Sequence, residues 1–175
     1  GPQTRKYLVE LGYDVPEIYG DPGILLPIYY KPNVDVEYKF GVVPHYNDYE
    51  LVESLFKENK NVLVIDLMTN DIEATTSQFL KCERIISSSL HGIIIAHAYK
   101  IPAVWQRFSD KPFGDDIKFQ DYFESVKMKP YTPEIQLPDK SLTKMEKQFE
   151  KLPSLPKECI LEELGKDLLK VCPFK

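Results

Sequence analysis

Three cysteines in 175 residues are too few and too scattered to organise a fold. Cys82, Cys159 and Cys172 are odd in number and lack zinc-site spacing, so free thiols in a reducing compartment are expected. No apolar run approaches the roughly 20 residues that a membrane span needs, and no signal peptide opens the chain. Lys and Arg nowhere form a dense run, and the formal net charge is −5, which argues against nucleic acid as a partner. Internal repeats, low-complexity tracts and clusters of metal-ligating residues are also missing. What remains is an acidic chain, 43% apolar, of a length that suits one domain with a real core. A cytoplasmic location is expected, or a peripheral one at the inner face of the cell membrane.

Strand-like and helix-like spacings alternate through the middle of the chain. Tyr7, Leu8 and Leu11, followed by Gly12, predict a short first helix with a glycine stop. Residues 18–23 read as a strand end entering a turn, and 24–28 as a connector or short edge element. Residues 38–43 make the first core strand, which stops at Pro44-His45. Asn47 or Asp48 can cap the next helix, with Leu51, Val52, Leu55 and Phe56 on one face. Residues 61–68 read as a continuous apolar strand of the kind buried in a parallel sheet. A helix over 72–80, a strand over 84–87, a helix over 90–99 and a strand over 102–105 complete a β-α-β-α-β-α-β series. Right-handed crossovers turn that series into a Rossmann-like, doubly wound parallel α/β sheet. Beyond Trp105 the expected elements are a helix over 119–126, a proline-containing loop over 128–140, and amphipathic helices over 141–152 and 157–171. The expected division is an α/β body over 1–126 and a loop with a helical cap over 127–175 packed on it.

The stretch from Arg84 to Trp105 is the most informative. Between a buried strand and an almost wholly apolar helix it places Ser87, Ser88, Ser89, Leu90, His91 and Gly92. Hydroxyls, free backbone N–H groups and an imidazole would then surround one helix N-terminus, a setting that suits a carboxylate or phosphate. Ligands of open parallel sheets bind beyond the C-terminal strand ends. His45 and Asp48, Asp66 and Thr69, the Ser87–Gly92 turn, and Gln106, Arg107, Ser109 and Asp110 all fall on that rim.

Plainer roles stand beside these. The serines can simply cap the helix. A positive charge on His91 is disfavoured by the helix dipole, so a neutral hydrogen-bonding or proton-donating role fits it better than a structural one. His97 lies about 240° further round and is expected to be packed or on the surface. His45 is either a loop histidine or a functional one. Arg107 either clamps an anionic group or pairs with Asp110. Asp21 in Gly20-Asp21-Pro22 can be a turn-former. Lys118, Phe119 and Asp121 belong most simply to a helix docked on the sheet, and Trp105 to the core.

Taken together, these residues resemble the polysaccharide pyruvyl transferase family. The resemblance rests on Ser-Ser-Leu-His-Gly at the start of an apolar helix with Ile101-Pro102 beyond it. It also rests on Gly1-Pro2-Gln3-Thr4-Arg5, Gly20-Asp21-Pro22, Pro44-His45-Tyr46 and Lys118-Phe119-Gln120-Asp121. The motifs span Gly1 to Ser125 in order. The family is similar to two-domain GT-B glycosyltransferases, which implies that this chain is the C-terminal half and that an N-terminal domain is missing from it.

The resemblance implies transfer of the enolpyruvyl group of phosphoenolpyruvate onto sugar hydroxyls, making a pyruvate ketal in exopolysaccharide or capsule biosynthesis. The acceptor would be a saccharide or lipid-linked oligosaccharide. Neither a metal nor an organic cofactor is implied. His91 or His45 would be the general acid, and Ser88, Ser89, Leu90, Gly92, Arg107 and Asp21 would bind substrate. One departure is that some members carry arginine where this chain has Ser89, so the charge would come from Arg107, Arg84 or the absent half. Two other readings remain open: a GT-B glycosyltransferase using a nucleotide sugar, and a non-catalytic α/β binding module. The helix over 90–99 has no acidic residue to hold a ribose, which disfavours the first. An apolar patch beside the first helix would favour the second.

Overall fold

The computed structural model describes residues 1–111 and 116–173. Four strands form one all-parallel sheet: β1 (Tyr38–Val43), β2 (Val62–Val64), β3 (Cys82–Ser87) and β4 (Ala103–Trp105), in the order β2-β1-β3-β4. β1 and β3 share the longest register, from Tyr38 opposite Cys82 to Val43 opposite Ser87, and so form the centre. Parallel neighbours need crossover connections. Here these are α3 (Tyr49–Phe56), α4 (Ile72–Leu80) and α5 (Leu90–Ala98). The chain leaves β1 towards β2, jumps back over β1 to β3, and continues outward to β4. A crevice therefore opens between the ends of β1 and β3, where the winding changes direction. The expected Rossmann-like α/β sheet is present.

Side chains alternate along the strands and feed two cores. Val43 and Ile85 join one cluster with Phe79, Ile93, Phe119 and Phe123. Val42 and Ile86 join the other with Val52, Phe56 and Met145. Burying both faces explains why these strands are apolar without a polar alternate. Each fully buried Ile or Phe contributes roughly 1.5–3 kcal/mol.

The C-terminal elements complete both layers. α6 (Ile117–Ser125) stacks Phe119 on Trp105, with ring centroids 4.2 Å apart and planes 5° from parallel. α7 (Leu142–Lys151) places Met145 in the second cluster, and α8 (Glu158–Val171) places Leu161 and Leu164 in the first. Trp105 is core, as expected. His97 is also packed: its Nε2 donates to the Ser154 carbonyl at 3.1 Å, and its Nδ1 accepts the Tyr122 hydroxyl at 3.0 Å. Cys82 is buried, and burial pushes its thiol up to about 12.

Several local expectations are corrected. Residues 18–23 form no strand. Asp21 instead accepts the Gly23 N–H at 2.8 Å and starts a 3-10 turn over Pro22–Leu25, because proline and glycine favour a turn over a ladder. Residues 24–28 run from that turn into α2 (Leu26–Tyr29) and pair with no strand. β2 covers only three of the residues 61–68. It is an edge strand whose pairing ends where Ile65 N–H meets Val42 O, and Asp66 and Thr69 then turn the chain through their own side chains. Leu51 is 42% exposed, while Val52 and Phe56 carry the buried face of α3. Asp48 occupies the N-cap position of α3 but makes no side-chain cap bond. α1 (Pro2–Glu10) stops before Gly12, whose φ of +90° suits glycine, and it buries none of its residues.

Candidate functional site

Val43 and Ser87 end the two central strands side by side, and the turn that follows is tied down by its own serines. The Ser87 hydroxyl oxygen lies 2.9 Å from the Val43 carbonyl and 2.8 Å from the Ser89 carbonyl, and it accepts the Ser89 N–H at 2.9 Å. Ser88 reaches across the crevice and accepts the His45 N–H at 2.8 Å. Ser89 is the N-cap residue of α5, yet its side chain makes no cap bond. None of the three serines caps the helix. The expectation that they are ordinary caps is corrected, because the first two hold the strand ends together instead. The first intrahelical acceptor is Ser89 O, which receives Ile93 N–H, so the N–H groups of Leu90, His91 and Gly92 have no helical acceptor.

Gly92 is buried, and a Cβ there would lie 2.2 Å from Ser87 Oγ and 2.9 Å from Val43 Cγ1. Its glycine lets the helix start close on the strand ends, so any contact with a ligand falls to its backbone N–H. Leu90 lines a cavity of about 250 Å³ with Asp21, Lys118, Asp121 and Tyr122. A smaller recess of about 20 Å³ adjoins Ser88, Arg107, Asp116, Lys118 and Phe119. Lys118 lines both.

His91 is 67% exposed, and its Nε2 lies 3.7 Å from Asp21 Oδ2. Asp21 therefore forms the turn and approaches the histidine at once. His45 is half-buried, its ring 4.3 Å from that of Tyr46, and its Nδ1 accepts the Asn47 N–H at 3.3 Å. Burial lowers its pKa from the usual histidine value, the charge of Lys118 lowers it further, and Asp48 partly opposes them.

Arg107 pairs with Asp116 at 3.3 Å, not with Asp110. Asp116 takes a left-handed φ of +63°, which aspartate tolerates better than most residues. Arg84 stands on the opposite half of β3, its guanidinium 5.4 Å from the Phe149 ring centroid, so it cannot replace the arginine that relatives carry beside Leu-His-Gly. Gln106 is buried and ties Gln136 and Gln148 together, which removes it from the rim. Asp66 and Thr69 belong to the edge turn. Among the described residues no three His, Cys, Asp or Glu side chains converge as metal ligands. No helix among them is long and apolar enough to cross a membrane.

Sequence reasoning missed Lys118. Its neighbours Phe119 and Asp121 are buried, so Lys118 is turned outward to the rim. Among the described residues it joins no ion pair, and its ammonium lies 5.6 Å from the Phe119 ring centroid. The signal was available in Lys118-Phe119-Gln120-Asp121. Asp48 was placed on the rim, but not its pairing: it is fully buried and accepts the Ser109 hydroxyl at 2.7 Å.

Residues 1–105 match the family model described as polysaccharide pyruvyl transferase. An uncharacterized protein of Acanthamoeba polyphaga mimivirus is 42% identical over 128 residues, which is 70% of this chain and 45% of that protein. The chain thus spans less than half the length of the curated relative it matches. No solved structure matches. The five motifs, the parallel sheet and a match over more than half of the residues agree: the chain belongs to the polysaccharide pyruvyl transferase family.

Proposed function

We propose that this chain carries the donor site of an enzyme that moves the enolpyruvyl group of phosphoenolpyruvate onto two hydroxyls of a sugar. The supporting observation is the uncapped N-terminus of α5 at the central crevice, with Lys118 beside it. Free N–H groups at a helix start and an ammonium that joins no ion pair among the described residues suit a small, highly anionic donor. Arg107, already balanced by Asp116, contributes less unless a ligand displaces that carboxylate.

The chemistry asks little beyond binding and proton transfer. A proton goes to the methylene carbon of the donor, leaving the central carbon electron-poor. One sugar hydroxyl adds there and loses its proton. Phosphate then leaves with the electrons of its bond to that carbon, and a second hydroxyl closes the ketal as its proton passes to phosphate or solvent. His91 with Asp21 and His45 stand where the proton steps and the anionic oxygens would meet. The acceptor would be a saccharide or lipid-linked oligosaccharide. Its site, and a second wall of the cleft, would belong to the rest of the protein.

Phosphate release from phosphoenolpyruvate by the whole protein, with free and lipid-linked oligosaccharides as acceptors, tests this. Release that depends on acceptor supports it. Turnover of a nucleotide sugar without any phosphate release would reassign the protein to glycosyl transfer.

One observation favours a second reading, that of a binding module. Tyr7, Val9, Leu11 and Tyr13, in α1 and just beyond it, are all 45–62% exposed, a local density of apolar side chains that would suit a partner.

A further inference from the structure

We infer that His45 works as a fixed, neutral hydrogen-bond donor to an anionic oxygen of the donor substrate, leaving proton transfer to His91. A backbone N–H can only donate, and the Asn47 N–H points at His45 Nδ1. That nitrogen must therefore keep its lone pair. In the neutral ring the single proton sits on Nε2, so the only nitrogen left for a ligand is a donor. A proton on Nδ1 would set two N–H groups against each other.

Most of the described surroundings favour this state. On its own turn, Asp48 donates its N–H to the His45 carbonyl at 2.8 Å and its carboxylate is turned onto Ser109. The Tyr46 ring packs at 4.3 Å. From the β3–α5 turn, Ser88 receives the His45 N–H. From α6, the Lys118 ammonium works against a second positive charge. Among the described residues Asp48 favours the imidazolium, and burial outweighs it. An Nε2–H donor at the end of β1, within electrostatic reach of Lys118, matches the class of ligand already proposed: a phosphoryl or carboxylate oxygen. A neutral imidazole there also adds no charge that would hold the phosphate after it leaves. His91 is different, since it is exposed, has a carboxylate oxygen 3.7 Å from its Nε2, and stands at the open start of α5 where the reacting carbon would lie.

The ligand assignment rests on the proposed donor site, whereas the tautomer does not, and the test separates them. In nitrogen-15 correlation spectra of the whole protein, His45 should be the neutral Nε2–H form at about pH 8 and keep that form to lower pH than an unperturbed histidine does. Adding inorganic phosphate should shift its Nε2 resonance. His45→Gln, whose amide can still donate, should keep kcat/KM within about 10-fold and leave the pH profile unchanged. His45→Ala should lose roughly 10- to 100-fold, the range expected for a hydrogen bond to a charged group. His91→Gln should remove the alkaline limb of the profile, the limb set by a group that must be protonated to act. A His45 that titrates near neutrality, or carries its proton on Nδ1, overturns the inference whether or not turnover is found. Loss of the alkaline limb in His45→Gln also overturns it. A neutral Nε2–H form that responds to phosphate in a protein inactive with phosphoenolpyruvate supports the His45 assignment and overturns the proposed activity.

Discussion

Asp121 on α6 caps a helix more than a hundred residues away: its carboxylate takes the Thr4 hydroxyl at 2.6 Å and the Gln3 N–H at 2.7 Å. The two motifs Gly1-Pro2-Gln3-Thr4-Arg5 and Lys118-Phe119-Gln120-Asp121 are therefore one structural device. α1 buries no side chain of its own, so this carboxylate and the Gln3–Glu124 hydrogen bond at 2.9 Å are central to holding it against α6. Burial pushes the Asp121 carboxyl up, but the hydrogen bonds from Thr4 and Gln3 outweigh it and hold the group below the usual carboxylate range.

Asp121→Ala should accordingly loosen α1 while leaving the sheet intact. The expected cost is about 1–2 kcal/mol, the scale of losing a helix cap. Hydrogen exchange should show faster exchange at residues 3–10 with unchanged protection in β1 and β3. Equal loss of protection throughout would mean that Asp121 supports the whole fold and not one helix.

His97 should make stability fall on mild acidification. Burial lowers its pKa to about 4, and the hydrogen bond to Ser154 only partly compensates. The unfolded chain therefore binds a proton near the usual histidine value of 6.5, while the folded protein refuses it until about pH 4. Stability contributed by the neutral ring is complete above pH 6.5, declines between those values and then levels off. The upper limit of the effect is roughly 3 kcal/mol. Urea midpoints of wild type and His97→Gln across that range check it, and the variant should show a shallower decline.

Gly92→Ala should be damaging despite its small size. The new methyl group meets Ser87 Oγ and Val43 Cγ1, both on rigid strand ends, so the start of α5 must move away from the sheet. About 1–3 kcal/mol of stability should go with the overpacking, read from thermal unfolding. If the helix start binds the donor, KM for phosphoenolpyruvate should rise as well. A variant with native stability and KM would show that the turn yields more easily than its packing implies.

Lys118→Ala should weaken donor binding without harming the fold, because Lys118 is exposed and joins no ion pair among the described residues. The expected change is a rise of roughly 10-fold or more in KM for phosphoenolpyruvate with little change in melting temperature. Thermal stabilisation by phosphoenolpyruvate should shrink in parallel. Unaltered KM would remove Lys118 from the site and return the charge requirement to Arg107 or to the rest of the protein.

Much of the fold was legible because apolar periodicity reports burial directly. Ile72–Leu80 is a helix to the residue, and β1 ends at Val43 because Pro44 cannot donate to the ladder. Residues 24–28 and 61–68 misled for one reason. A short apolar run has the composition of a strand, but whether it pairs depends on which neighbour the topology supplies. At the site, Ser88 and His45 could be placed on one rim from the chain order of strands. The partners of Arg107 and Asp48 could not, because Asp116 and Ser109 reach them through loop geometry that no periodicity encodes.

The sequence alone determined the parallel α/β alternation, the Ser-Ser-Leu-His-Gly helix start and the family, since these depend on local spacing and on residue types in order. Only the tertiary structure decided what each polar group does. It turned three candidate caps into two strand-end ties and an open helix terminus. It gave Arg107 a counter-ion and left Lys118 without one among the described residues. Those outcomes depend on distances between groups far apart in the chain, because a hydrogen bond or ion pair is decided within about 3–4 Å.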